Sequence, residues 1–288
     1  SIHDLRIAVT DRCNYKCFYC KSSQGLDKHY RAGIMNYEEI VRLAEIFVEL
    51  GVSKIRLTGG EPLVRRDLEA LITSLAALPH LKDLAMTTNA YFLASKAQML
   101  KEAGLSRLTI SLDSLKPDRF AEITGSDSFS KVMDGIKAAE KAGYTTLKFN
   151  TVIIRGINDD EILDFARFSR DTGHIIRFNE FMPLDEDKKW SWDRMVSREK
   201  LLETLQKLGP IESIEANYPS ETASRFRYAD GKGEIGIIAS ITNPFCNQCS
   251  RLRLTADGKL RTCLFAHEDH DLLGFMWGGA SQEELVNY

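Results

Sequence analysis

Leu5-Arg6-Ile7-Ala8-Val9-Thr10-Asp11-Arg12-Cys13-Asn14-Tyr15-Lys16-Cys17-Phe18-Tyr19-Cys20 joins a β-rich run, Leu5–Thr10, to a loop bearing three cysteines as C-x3-C-x2-C. Enzymes built from parallel strands place their chemistry at strand C-terminal ends, which is where this loop falls. Three thiolates so close can hold three corners of one cuboidal iron–sulfur cluster. The odd number leaves one iron open to chelate the amino and carboxylate groups of a small ligand. C-x2-C alone would suit a zinc site or a thiol redox pair, and both readings stay open beside the cluster.

Working outward, further β-rich runs follow at Lys54–Thr58, Leu84–Thr88, Leu108–Leu112, Thr146–Ile154 and Ile175–Phe181. Amphipathic stretches lie between them. Tyr37–Leu50, for example, sets Ile40, Leu43, Ala44, Phe47 and Leu50 at helical spacing. Gly51, Gly104 and Gly143 follow helical runs as C-terminal caps. Strand–helix alternation implies a parallel sheet with helical crossovers. A full eight-unit barrel takes about 250 residues. Only six units fit here, so the fold class is α/β, a partial (βα)6 TIM-type barrel spanning residues 1–184. Residues 185–288 are expected to be an α+β extension that covers the open side. In it, Asp185–Asp193 reads as a loop, and Ser197 caps a helix running to Leu208. Ile211–Ala216 reads as a strand, and Arg225–Tyr228 with Glu234–Ser240 as a hairpin around Asp230-Gly231-Lys232-Gly233.

A net charge of −3 gives no reason to expect nucleic acid or a membrane as partner, so an anionic ligand must be held by locally grouped cations. No apolar run reaches the roughly 20 residues of a membrane helix and no signal peptide is visible, so a cytoplasmic protein is expected. Six cysteines in 288 residues are too few for a disulfide scaffold, and they fall in two groups of three. The second group, Cys246, Cys249 and Cys263, has the form C-x2-C-x13-C. It suits a second cluster with an open iron. It also suits a zinc site completed by His267 or His270.

Strand periodicity adds a separate signal. Alternate residues share a face. That pairs Lys54 with Arg56, Lys148 with Asn150 and Arg251 with Arg253, while Arg6 and Arg177 lie on two further strands. Convergence of these faces would make a polyanion pocket, since Arg forks suit phosphate oxygens.

The cysteine loop resembles the signature of the radical S-adenosylmethionine (SAM) superfamily. Thr58-Gly59-Gly60-Glu61-Pro62 is its second mark, a segment that contacts the cofactor's methionine amino group in that superfamily. From Leu5 to about Leu285 the chain is similar to the molybdenum-cofactor biosynthesis protein A family, the GTP 3′,8-cyclases. The resemblance rests on Phe245-Cys246-Asn247-Gln248-Cys249-Ser250-Arg251-Leu252-Arg253-Leu254, Asp257-Gly258-Lys259, Cys263-Leu264-Phe265, Leu5-Arg6, Arg65-Arg66-Asp67 and Gly156-Ile157-Asn158-Asp159. It implies two [4Fe-4S] clusters, on Cys13, Cys17 and Cys20 and on Cys246, Cys249 and Cys263. It implies SAM contacts at Tyr19, Gly60, Ser111 and Met182. GTP contacts are implied at Arg6, Arg56, Thr87, Lys148, Arg251 and Arg253, with Lys54 and Arg177 as neighbours. The implied lyase reaction converts GTP to (8S)-3′,8-cyclo-7,8-dihydroguanosine 5′-triphosphate. A 5′-deoxyadenosyl radical takes the hydrogen of ribose C3′, and the C3′ radical attacks C8. No side-chain acid or base is expected. Further implied partners are an external electron donor, the next enzyme of the pathway and a second copy of the chain.

Two departures from the family pattern stand out. Members end in a Gly-Gly tail that reaches the active site, whereas Gly278-Gly279 lie nine residues before Tyr288 and are not that tail. Ala90 occupies a position where glycine is common after Thr-Thr-Asn. The rival readings are a radical SAM peptide modifier, a non-catalytic zinc module and a thiol oxidoreductase using Cys17 and Cys20. A peptide substrate gives no reason for the Arg251 and Arg253 pair.

Overall fold

The computed structural model describes residues 2–20, 33–184, 189–266 and 269–287. All six expected strands form: β1 (Asp4–Ala8), β2 (Lys54–Thr58), β3 (Asp83–Thr88), β4 (Arg107–Ser111), β5 (Lys148–Ile153) and β6 (Ile175–Glu180). Each pairs in parallel with the next. The crossovers carry α1 (Tyr37–Glu49), α2 (Leu68–Ala76), α3 (Leu93–Glu102), α4 (Pro117–Thr124), α5 (Phe129–Lys141) and α6 (Ile162–Thr172).

The period-2 rule decides which side chains face the helices. On β5, Phe149, Thr151 and Ile153 are buried while Lys148 and Asn150 are half-buried on the other face. On β6, Ile176 and Phe178 are buried and Arg177 points the opposite way. The apolar face of the sheet thus packs under the helices, and its polar face lines the barrel interior. Helix α1 begins with a capping box, in which Asn36 accepts from Glu39 N at 2.8 Å and Glu39 Oε2 accepts from Asn36 N at 2.8 Å. Ile40, Leu43, Ala44 and Phe47 are buried as the spacing predicts, but Leu50 is 55% exposed because the helix stops at Glu49. Gly51, Gly104 and Gly143 all have positive φ after their helices.

The extension contains α7 (Arg198–Gln206), β7 (Ile211–Ile214), β8 (Ser224–Tyr228), β9 (Glu234–Ile238), β10 (Arg251–Leu254), β11 (Lys259–Arg261), β12 (His270–Asp271), α8 (Leu272–Trp277) and α9 (Gln282–Asn287). Ser197 caps α7, and β8 and β9 form the expected hairpin. Sequence reading missed how this region joins the barrel. β9 adds in parallel to β6, and β10 adds in parallel to β1. One sheet of order β12-β11-β10-β1-β2-β3-β4-β5-β6-β9-β8-β7 results. The extension therefore lengthens both edges of the barrel and brings its own residues to the open side. Both pairings are too remote in sequence to be read from a local pattern. Among the described residues, no helix is long and apolar enough to cross a membrane.

Candidate active site

Cys13, Cys17 and Cys20 sit half-buried in the loop after β1. The loop is sewn to the Gly59-Gly60-Glu61 turn at the end of β2. Gly60 N donates to Thr10 O at 2.9 Å, and Glu61 N donates to Arg12 O at 2.7 Å. A Cβ at Gly60 would lie 2.1 Å from Arg12 O, so only glycine permits this approach.

Glu61 is fully buried and braces the turn rather than facing open space. Its carboxylate accepts from Leu63 N at 3.0 Å, Thr88 Oγ1 at 2.7 Å and Asn89 N at 2.7 Å. Burial pushes its carboxyl up to about 7, against the pull of these donors. Asn89 passes the brace on, donating from Nδ2 to Asn14 Oδ1 at 2.9 Å.

The structure adds Asp113, which sequence reasoning did not name. The Tyr19 hydroxyl donates to Asp113 Oδ2, and Val152 N donates to Asp113 Oδ1 at 2.8 Å. Burial raises the Asp113 carboxyl to about 6. Burial also raises the Cys13 and Cys17 thiols, and the negative charges of Asp113 and Cys20 add to the effect at Cys17. The signal was present in Ser111-Leu112-Asp113, since two polar residues at alternate positions end a buried strand.

The proposed SAM residues lie at the C-terminal ends of different strands. Tyr19 packs edge-on against Phe181 at 6.4 Å, Ser111 ends β4 beside Asn150, and Met182 lines the central cavity.

That cavity holds most of the expected cations. Arg6, Arg56, Arg177, Arg251 and Arg253 line it together with Thr87. Register explains part of the convergence: Arg6 is paired with Arg253 on one side and Arg56 on the other, a row of three arginines across β10, β1 and β2. Arg56 donates to Thr109 at 3.0 Å and Thr87 at 3.3 Å, and Arg177 donates to Thr109 at 3.1 Å. Thr109 was not anticipated, although it alternates with Ser111 on β4. Among the described residues, the buried Nε atoms of Arg6, Arg177 and Arg251 and the buried Oδ1 of Asn150 have no hydrogen-bond partner.

Electrostatics give the same picture. Burial, then Arg253, Arg56 and Arg251, lower the Arg6 guanidinium well below its ordinary value. Burial and the Arg56 charge bring Arg177 down to about 9. Asp4 offsets only part of this crowding of like charges, which is costly when buried, and a bound polyanion lowers that cost. Lys148 and Lys54 are not among the residues lining this cavity. Lys148 lies nearer the start of β5, where burial and Arg177 lower its ammonium to about 8. Lys54 faces a second cavity at the strand starts.

Cys246, Cys249 and Cys263 are exposed and line the central cavity. Burial raises the Cys249 thiol, but hydrogen bonds from Arg251 and the nearby arginine charges outweigh it and leave the thiol below its ordinary value. Arg251 stacks over Phe245 at 5.0 Å. Among the described residues, no three His, Cys, Asp or Glu side chains close on a single-ion position. His267, weighed as a zinc ligand, lies outside the described residues. The donor set fits iron–sulfur ligation at both loops: three thiols each, one loop half-buried and braced, the other opening on the cation-lined cavity.

Comparison with known proteins gives this arrangement its class. The radical SAM superfamily model matches residues 7–169, and the molybdenum cofactor synthesis C model matches residues 174–288. The fold agrees with that of Streptococcus suis SuiB bound to S-adenosylmethionine, with a TM-score of 0.67 at 12% identity over 94% of this chain and 63% of that one. The chain is 46% identical to a GTP 3′,8-cyclase of Acidothermus cellulolyticus, over 94% of this chain and 76% of the relative. It is 45% identical to one of Moorella thermoacetica, over 99% and 88%. The chain belongs to the radical SAM superfamily and, within it, to the GTP 3′,8-cyclase family of molybdenum cofactor biosynthesis.

Proposed function

We propose that the chain binds GTP in the arginine-lined cavity and converts it to (8S)-3′,8-cyclo-7,8-dihydroguanosine 5′-triphosphate. The observation that carries this reading is the row Arg253, Arg6 and Arg56 across three neighbouring strands, lining the cavity onto which the second cysteine loop opens. An uncharged peptide would leave those charges uncompensated, so the peptide-modifying reading is disfavoured.

In this reading Cys13, Cys17 and Cys20 hold a [4Fe-4S] cluster with SAM, and Cys246, Cys249 and Cys263 hold a second cluster. When bound and reduced by an external donor, the first cluster and SAM supply a 5′-deoxyadenosyl radical. The chain's own residues do the placing. Arg6, Arg56, Arg251 and Arg253, with Lys148 as a more distant charge, hold the triphosphate by charge-assisted hydrogen bonds. Thr87 and Thr109 orient Arg56. Gly60, Ser111, Met182 and Tyr19, with Asp113 behind Tyr19, shape the SAM side. Clamping the nucleotide along its length presents ribose C3′ in one orientation and excludes water.

Anaerobic reconstitution with GTP, SAM and a reductant, followed by product analysis, tests the reading. The cyclised nucleotide and 5′-deoxyadenosine are expected together. Formation of 5′-deoxyadenosine with GTP unchanged would contradict the cyclase assignment and keep the superfamily.

A further inference from the structure

Residues 215–223, between β7 and β8, form a strap over the strand-start end of the barrel. The strap is self-braced: Asn217 N donates to Glu221 Oε2 at 2.7 Å, and Glu221 N donates to Tyr218 O at 3.0 Å. Tyr218, Pro219 and Ser220 stand across a cavity from Asp4, Ser53 and Lys54. Cys249 lines this cavity and the arginine cavity alike, so the two adjoin at the second cysteine loop.

Tyr218 meets Lys54 twice. The ammonium donates to the phenol oxygen at 2.7 Å, and it lies 4.4 Å from the ring centroid. Asp4 holds the same ammonium at 3.5 Å. Lys54 has three N–H donors, so one remains for a ligand. A phenol oxygen that accepts from Lys54 still has its own O–H to give, and among the described residues no hydrogen bond uses that proton. Lys54 and Tyr218 thus present two donors side by side. The phenol is also within electrostatic reach of Arg56, Arg107 and Arg177.

Direction along the strands says which part of a nucleotide they meet. The first cysteine loop lies at the C-terminal end of β1, and ribose C3′ must face it. The 5′-phosphates then run the other way. Passing from Arg56 to Lys54 on β2, and from Arg253 to Arg251 on β10, moves toward the strand starts and the strap.

We propose that Tyr218 is a specificity-determining residue that favours a nucleoside triphosphate over a diphosphate, by seating Lys54 and donating its hydroxyl to the terminal phosphate. The inference rests on the GTP reading. Steady-state turnover of anaerobically reconstituted enzyme with GTP and with GDP tests it. Tyr218→Phe keeps the ring over Lys54 and removes the hydroxyl. KM for GTP should rise about tenfold, the usual scale for one hydrogen bond to a charged group. The kcat for GTP should change less than about twofold on the same reasoning, with KM for GDP and GTP-independent SAM cleavage as in the wild type. Tyr218→His, which restores an N–H donor, should recover part of the preference. Equal changes for GTP and GDP, or no change for either, would overturn the assignment. Failure of the wild type to convert GTP would instead overturn the cyclase reading itself.

Discussion

Around Cys13, Cys17 and Cys20 the backbone is tied to other elements of the barrel at several points, whereas between Cys246 and Cys249 its ties are local and the first link to the barrel is at Ser250, whose carbonyl accepts from His3 N and Asp4 N, each at 3.0 Å. In the first loop, Lys16 N donates to Thr124 O at 2.9 Å, Phe18 N donates to Ile123 O at 3.2 Å, and the Tyr15 hydroxyl meets Ser128 Oγ at 2.7 Å. In the second, Gln248 N and Cys249 N reach only Phe245 O and Cys246 O, each at 3.1 Å. The stem of that loop is held instead by buried Glu180, which accepts from Ile241 N at 2.8 Å and Thr242 N at 2.9 Å. The same trio of thiols is thus set in two environments. A braced, half-buried loop suits a centre that must hold one ligand in one geometry away from water. An open loop beside arginines suits a centre that a substrate enters and leaves.

The largest effects should separate the two loops. Cys17→Ala should abolish SAM cleavage, measured as 5′-deoxyadenosine. Cys249→Ser should leave SAM cleavage measurable and abolish cyclised product. Loss of both activities in both variants would erase the contrast.

Arg253→Ala should raise KM for GTP about 10- to 100-fold, since charge-assisted hydrogen bonds contribute about 1.5–3 kcal/mol. Iron and sulfide contents should be unchanged. Arg6→Met carries the same logic into stability, because it relieves crowding among like charges. The substrate-free protein should gain about 1 kcal/mol or more, a shift of about 2–4 °C in Tm by calorimetry. A lower Tm would show that the arginine cluster is not strained without its ligand.

Lys148 predicts a pH effect. Its ammonium titrates near about 8 in the fold, below the ordinary lysine value. A polyanion binds the charged form, so GTP affinity should weaken as pH rises through about 8. The same depressed value means that the substrate-free fold is penalised by this charge below about 8, and the penalty fades as pH rises toward the unfolded lysine value. Lys148→Arg should flatten the binding profile there. A profile identical in wild type and variant would remove Lys148 from the site.

The smallest effect concerns Ala90. Its φ is 63°, a left-handed conformation that disfavours a Cβ, and its carbonyl sits where a Cβ on Gly135 would come within 2.5 Å. Ala90→Gly removes a left-handed penalty of about 1–2 kcal/mol and adds about 0.5–1 kcal/mol of unfolded-state entropy. A gain of at most about 1.5 kcal/mol in denaturant unfolding is expected on that balance. Destabilisation would mean that the methyl group's packing outweighs the strain.

Much of this was legible in the sequence, because the signals were local. The first cysteine loop, the six strands and the alternate cations all follow from spacing and period. What was not legible depends on register between distant strands. Nothing near Arg253 in the chain shows that it pairs with Arg6, and nothing near Glu234 shows that β9 completes the edge beside β6. Thr109, Asp113 and Tyr218 escaped for a related reason. Each matters through partners supplied by other elements: Arg56 and Arg177 for Thr109, Tyr19 and Val152 for Asp113, and Lys54 for Tyr218.

The central claim is that the second cysteine loop carries a cluster with an iron open to the nucleotide. Electron paramagnetic resonance of the reduced, anaerobically reconstituted protein tests it most directly. Two four-iron signals are expected, one altered by SAM alone and the other by GTP alone. Zinc in place of iron at the second loop, or a second signal indifferent to GTP, would contradict the account.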